Sequence, residues 1–348
     1  MKSSNKYINL LLTTLVSILI GAVIMLALGY NPIEAYIQLF KGAFVGKLNF
    51  GTTLQKFTPL LLTSIAFVIS SRVGVSNVGV EGELYLGAIA AAWVGFTFKG
   101  VPGPILILLC LIVAIIIGAA WAYIPGSLRA YLGVNEVCVT ILMNYVAIYI
   151  TSYLVNGPLS AKTGVPQTPT IAEGAKLAKI LKPSQASAGL FIAIAVVIII
   201  YWILQKSTIG YKFTSVGLNP MYAQYVGISP QKTMINAMLL SGAVGGLAGA
   251  LEVLGTYGYF LDKFSSGIAF DGMLAALIVK NDIKMVPFMA FFLAVLKSGA
   301  LGMERYTGIP KSIVDTIIAI FIIFATMESI NNAANIIKIK DLIVSLWG

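Results

Sequence analysis

Residues 76–93 read SNVGVEGELYLGAIAAAW, and the reading of this stretch decides the fold. After its first few residues it becomes a small-residue apolar run of the kind that sits among membrane helices, yet it carries two carboxylates, Glu81 and Glu83. A carboxylate near mid-bilayer costs roughly 2.5–3.5 kcal/mol on insertion scales, so the fold must offer each one a partner or water.

The rest of the chain places that stretch in a membrane. Of 348 residues, 58% are hydrophobic and 10% charged, more apolar surface than a water-soluble core of ordinary proportions can hide. Apolar runs long enough to cross about 30 Å of hydrocarbon recur along almost the whole length, which leaves no room for a separate soluble domain. Residues 1–348 therefore read as one polytopic domain. The net charge of +10 comes from scattered basic residues, which suit anionic lipid headgroups better than nucleic acid. Histidine is absent, which removes the commonest proton shuttle and metal ligand. Cys110 and Cys138 lie in apolar spans and read as small buried thiols rather than a disulfide or metal pair. The apolar part of the N-terminal run is too long for a usual signal-peptide core and reads as a retained first helix.

Hydropathy and helix breakers predict an all-α protein of about ten spans, near 8–29, 53–71, 80–98, 104–124, 136–156, 188–205, 235–256, 268–280, 285–301 and 311–329. The segments around 72–82 and 257–272 look broken rather than regular. NPIEAYIQLFKGAFVGKLNFG (31–51) and the tail NIIKIKDLIVSLWG (335–348) have the spacing of interfacial helices. With the N-terminus inside, as Lys2 and Lys6 favour, the 157–187 connection is external, the 206–234 connection is cytoplasmic and both termini are cytoplasmic.

An internal echo adds to this. EGEL (81–84) recurs as DGML (271–274), each after a Gly-containing break, and GVNEVCVTI (133–141) echoes GIPKSIVDTI (308–317) with one residue inserted. Each member lies five spans from its partner, and an odd offset reverses direction across the bilayer. Such inverted halves commonly line a transporter's solute site with their broken, acidic segments.

Residues four apart share a helix face and residues two apart do not, so Asn77, Glu81 and Tyr85 form one stripe and Gly79, Glu83 and Gly87 another. Two readings stand for the carboxylates: they border a hydrated pathway for a polar solute, or they fasten helices through an internal salt bridge, with Arg72 or Lys297 as candidates. In the seventh span Gly245, Gly249, Glu252 and Thr256 share a face whose small residues allow close helix approach and direct Glu252 inward. Asp271, Asn135, Glu136 and Asn144 are further polar groups in or beside spans, suited to capping and interhelical bonding as well as to solute; Asp315 and Glu328 rank lower.

Chemical machinery is missing. GAFVGKL (42–48) has three residues where a phosphate-binding loop needs four and Leu where it needs Ser or Thr, and no Ser or Cys has a histidine partner. In the 206–232 connection Asn219 suits an N-cap, Pro220 the first helical position and Gly227 a stop, which predicts a helix of about seven residues. So short a helix is marginal in water, and Met221, Tyr222, Tyr225 and Val226 need a surface to dock on.

SNVGVEGELYLGAIAAAW, GVNEVCVTILMNYVAIYI, VGLNPMYAQYVGI and GIAFDGMLAALI followed by TGIPKSIVDTIIAIFIIF resemble, in order, the permease subunits of ABC importers for simple sugars and nucleosides, closest to the nucleoside branch. The resemblance runs from about residue 50 to 330. It implies a fold like the type II importers, a single transmembrane permease domain and no chemistry of its own. It also implies a second related permease, a cytoplasmic ATPase with two nucleotide-binding modules that uses the ATP, and an external lipoprotein that delivers solute. No cofactor or metal is bound directly. Gly217 to Ile228, with Asn219, Pro220, Met221, Tyr222, Tyr225 and Gly227, match the family's coupling helix, which sits in a cleft of the ATPase. Ser76 and Val78 stand where the family usually has an aromatic and Ile, and Glu83 replaces a common Gln. The Pro-rich, Lys-bearing 157–187 segment reads as a lipoprotein contact. A simple-sugar permease, an ion-coupled secondary transporter and a non-transporting scaffold are the rival readings.

Overall fold

The computed structural model describes residues 16–326; the start of the first expected span, Glu328 and the 335–348 tail lie outside the described residues. Helices occupy every placement expected within that range: α1 (Val16–Ala27), α2 (Pro32–Phe44), α3 (Lys47–Ser71), α4 (Val80–Thr97), α5 (Gly103–Leu132), α6 (Glu136–Asn156), α7 (Gly189–Lys206), α8 (Thr208–Leu218), α9 (Pro220–Tyr225), α10 (Pro230–Glu252), α11 (Ile268–Ile278), α12 (Val286–Thr307) and α13 (Lys311–Thr326). The fold is all-α, with only isolated bridge pairs among the described residues. Among the described residues six helices, where ten spans were expected, are long and apolar enough to cross a membrane: α3, α5, α6, α7, α10 with its following turn, and α12. At 11 residues α11 is too short to do so alone, since a helix rises about 1.5 Å per residue.

Polar punctuation sets the helix starts. Asn31, Asn135 and Ser207 each accept two backbone N–H groups at the beginnings of α2, α6 and α8, and proline opens α2, α9 and α10. Two compact units emerge. In residues 46–295, α10 is packed among α5, α4 and α3. Backbones meet there because side chains are missing: a Cβ on Gly118 would strike the Gly242 carbonyl, and one on Gly249 the Leu84 carbonyl. The stripe of small residues on α10 thus faces α4 and α5. In the other unit, Gly42 of α2 lies against Gly302 of α12, and Tyr36 donates to the Ile18 carbonyl at 2.6 Å.

Two breaks interrupt the larger unit where the sequence predicted them. One, at 72–79, separates α3 from α4. The other follows α10, whose last turn widens to a π-turn (Val253–Tyr257) before Gly258 at φ 76° and non-helical chain as far as Gly267. Against this second break runs the long 157–187 connection. Thr168 N–H donates to Phe260 O (3.0 Å), Asp262 to Pro166 O (2.9 Å), Ile171 to Gly258 O (2.9 Å) and Leu177 to Leu254 O (2.9 Å). That connection is therefore a bonded cover rather than a free loop.

Candidate functional site

The buried polar groups gather where α4 begins. Because α4 starts at Val80 behind Gly79, Asn77 lies ahead of the helix and escapes its periodicity. The Asn77, Glu81, Tyr85 stripe expected from helical spacing consequently holds for Glu81 and Tyr85 only. Asn77 turns the other way: its amide donates to Glu83 Oε1 (2.8 Å) and to Ser241 Oγ of α10 (2.9 Å), while its own N–H reaches Ser70 Oγ (3.2 Å). Ser241 donates onward to Ala66 O of α3 (2.7 Å), so three helices share one chain of bonds. The second oxygen of Glu83 has no hydrogen-bond partner among the described residues and lies toward Gly245.

Glu81 and Tyr85 face the break before α11. Ser265 Oγ donates to Glu81 Oε1 in a short hydrogen bond, Ala269 N–H donates to Glu81 Oε2 (2.8 Å), and Tyr85 OH donates to Ser265 O (2.8 Å). A carboxylate at the first turn of α11 meets unpaired N–H groups and the positive end of the helix dipole, so Glu81 acts as a cap supplied by another helix. The Tyr85 ring packs against Phe264 and Phe260, at centroid distances of 5.0 and 6.2 Å. From α6, Asn144 closes the group: its amide donates to Val78 O (2.9 Å) and its oxygen accepts Gly82 N–H (2.8 Å). Both carboxylates take their hydrogen bonds from neutral donors. Asn77, Glu81, Glu83, Tyr85 and Asn144 are all buried in this conformation.

Glu252 and Asp271 stand apart from that group. Glu252 is buried at the end of α10, within electrostatic reach of Lys56 of α3 and of Lys179 in the cover segment. There the Lys179 ammonium donates to Gly255 O (2.6 Å) and Gln185 Oε1 (2.5 Å). Burial, then the neighbouring Lys176, hold Lys179 below its ordinary range, and the Glu252 carboxylate pulls it back up. Asp271, half-buried in the first turn of α11, lies close enough to Glu81 for their charges to repel. Near the first break, Glu136 pairs with Arg129 (3.3 Å) and accepts Ser76 N–H (3.3 Å).

The short helix of the 206–234 connection forms as its punctuation predicts. Asn219 Oδ1 accepts Tyr222 N–H (3.0 Å), α9 covers six residues, and Gly227 ends the turn at φ 83° with Ile228 N–H returning to Ala223 O (2.9 Å). Ala223 is buried, whereas Leu218, Met221, Tyr222 and Val226 are exposed and Tyr225 is 87% exposed. Gly217 packs on the Arg72 carbonyl, which seats the connection on the break that leads to Asn77. Sequence reasoning did not find Ser265, Ser241, Ser70 or Lys179. The only local signal was Ser265 two residues before the left-handed Gly267, a cap-like position.

A multi-pass helical chain with this buried polar group and an apolar helix offered outside it has the build of a membrane transport subunit. Residues 49–326 match the family described as branched-chain amino acid transport system / permease component, and the chain belongs to that family. It is 39% identical to the guanosine ABC transporter permease protein NupP of Bacillus subtilis, over 92% of this chain and 94% of that one. It is 35% identical to the nucleoside ABC transporter permease protein NupB of Lactococcus lactis, over 90% and 88%, and 33% identical to the glucose ABC transporter permease protein TsgB13 of Haloferax volcanii, over 90% and 85%. ABC permeases work with partner subunits, and ATP hydrolysis lies in one of those.

Proposed function

We propose that the protein is half of the conducting pathway of an ATP-driven importer that moves nucleosides across the cytoplasmic membrane. The observation that carries this reading is the exposed apolar face of α9, seated through Gly217 on the break that leads into the buried polar group. A force applied to α9 reaches Asn77 through a few residues. A uniform greasy pore would have no use for the acidic and amide groups; a solute rich in hydroxyl and ring nitrogen finds partners among them. Glu81 already neutralises the N-terminus of α11, so no anionic solute is needed there, which suits an uncharged nucleoside. Asn77, Glu81, Glu83, Tyr85, Asn144, Glu252 and Asp271 border the route when their internal bonds exchange during the cycle.

The whole chain, 1–348, acts as one permease domain of about ten spans, of the type II kind, with both termini cytoplasmic. The inverted repeat gains support from local geometry: Glu81 and Asp271 both lie in first helical turns, and α6 and α13 each begin three residues after a left-handed glycine, Gly133 at φ 66° and Gly308 at φ 69°. A second, different permease completes the pathway, in keeping with relatives carrying two permease names in one organism, NupP and NupQ in Bacillus subtilis. A double-module ATPase grips α9 and uses the ATP, no cofactor binds this chain, and a lipoprotein docks on the 157–187 cover. The similarity to a glucose permease keeps simple sugars as the second reading.

Proteoliposomes holding the complete importer test both. Uptake of tritiated guanosine should require ATP and be competed by other nucleosides rather than by glucose. Uptake that survives ATP depletion and collapses with an ionophore sinks the ATP-driven reading, and transport of glucose in place of guanosine replaces the substrate.

A further inference from the structure

The outer face of α6 differs from every other exposed span face in the 46–295 unit. α5 exposes Ile105, Leu108, Ile112 and Ile116 along its apolar run, with Tyr123 and Tyr131 confined to its last third, and α7 exposes Ile194, Ile198 and Ile199 with Phe191 and Trp202 toward its ends, as lipid requires. α6 instead exposes Tyr145 (57%), Tyr149 (69%) and Tyr153 (73%) at four-residue intervals, the first two in its middle third. No hydroxyl of the three has a hydrogen-bond partner among the described residues. Phenol groups facing hydrocarbon at that depth would be unsatisfied, so the face looks onto water or another polar surface.

Close helix contacts in this chain are made where side chains are missing, as at Gly118, Gly242 and Gly249. The outer face of α6 has no such residue: Leu142, Tyr145, Val146, Tyr149, Ile150 and Tyr153 all project. This face therefore offers no close-approach seat of that kind, and its rings stand free for a flat solute. We propose that Tyr145, Tyr149 and Tyr153 form a stacking wall along the solute route, each ring taking the flat face of a nucleobase while its hydroxyl bonds the ribose. This rests on the nucleoside reading above. Successive rings are about 6 Å apart along the helix axis, close enough for one nucleoside to meet the next ring before leaving the last. Stacking needs only a π-face and so serves several bases, while the hydroxyls favour solutes bearing sugar.

The test uses the complete importer in proteoliposomes with tritiated guanosine at saturating concentration. Tyr149→Leu should slow uptake about fivefold or more, and Tyr149→Phe, which keeps the ring, should stay within about twofold of the parent. Ile198→Ala on the lipid face of α7 should change nothing. Equal uptake by the Leu and parent proteins overturns the wall, and so does loss of the second permease from the Leu complex, which makes the face a subunit contact. If the Leu protein does not fold, Tyr149→Trp keeps a ring whose fluorescence guanosine should quench in the assembled importer, and an unchanged signal overturns the proposal. A parent importer that carries glucose and not guanosine fails the nucleoside reading instead.

Discussion

Glu81 accepts a hydrogen bond from Ser265, 184 residues further along the chain, and a second from Ala269 N–H. Removing it leaves a buried hydroxyl and a buried helix N–H without that acceptor, and stranded groups of this kind cost about 1–3 kcal/mol each. Glu81→Ala is therefore expected to lower the thermal midpoint of the purified protein in detergent clearly. Glu81→Gln keeps one oxygen for Ala269 and an amide that Ser265 Oγ can accept, so it should retain most of the stability and assemble normally. The same change removes the negative charge at the α11 N-terminus and should alter uptake or selectivity. Equal destabilisation by Gln and Ala would show that charge, rather than bonding, holds the break; an assembly defect without a transport change would make Glu81 a fastener only. Asn77 teaches a second point at this scale. Its neighbours in sequence put it with Glu81, but it precedes the helix, and its amide joins Glu83 and Ser241.

At the scale of elements, α9 is too short to persist by itself and is held by its Asn219 cap, the buried Ala223 and the Ile228 return bond. Its ends were readable in Asn219-Pro220 and Gly227 because capping and left-handed glycine are local physics. The Tyr222 side chain is largely exposed, so Tyr222→Asp should fold as the parent does. Tyrosine is among the residues enriched in interface hot spots, whose truncation costs about 2 kcal/mol or more, and the variant should lose about tenfold or more in ATP-dependent uptake and in co-purification with the ATPase. Intact association and uptake would refute the docking role of α9. α10 makes the converse point: its glycines were legible as a close-approach face, and α4 and α5 occupy it.

Across the larger unit, two breaks are linked through one buried group. The 206–234 connection rests on the first break at Gly217, and the 157–187 cover is bonded along the second from Leu254 to Asp262. Between them lie Tyr85, Phe260 and Phe264 in ring contact and Glu81 on Ser265. These ring contacts and hydrogen bonds join α4 to the second break. Thr168 Oγ1 is buried and accepts Phe260 N–H (3.0 Å), so Thr168→Val strands that donor. In hydrogen-exchange mass spectrometry the variant should lose protection together in peptides covering 166–172 and 257–264. Loss in the first alone would mean that cover and break are not one cooperative piece.

The chain by itself determined that this is a helical membrane protein, where its helices lie, where two of them break and which short helix is offered outside. Each of those follows from hydropathy, caps and glycine or proline, and these act within a few residues. Tertiary structure alone decided what the buried carboxylates do. Glu81 and Glu83 stand two apart in sequence, yet one caps α11 and the other holds Asn77. The partners of Glu81 stand 184 and 188 residues away and are chosen by packing, because a charge taken out of water settles on whichever donors the fold brings to it.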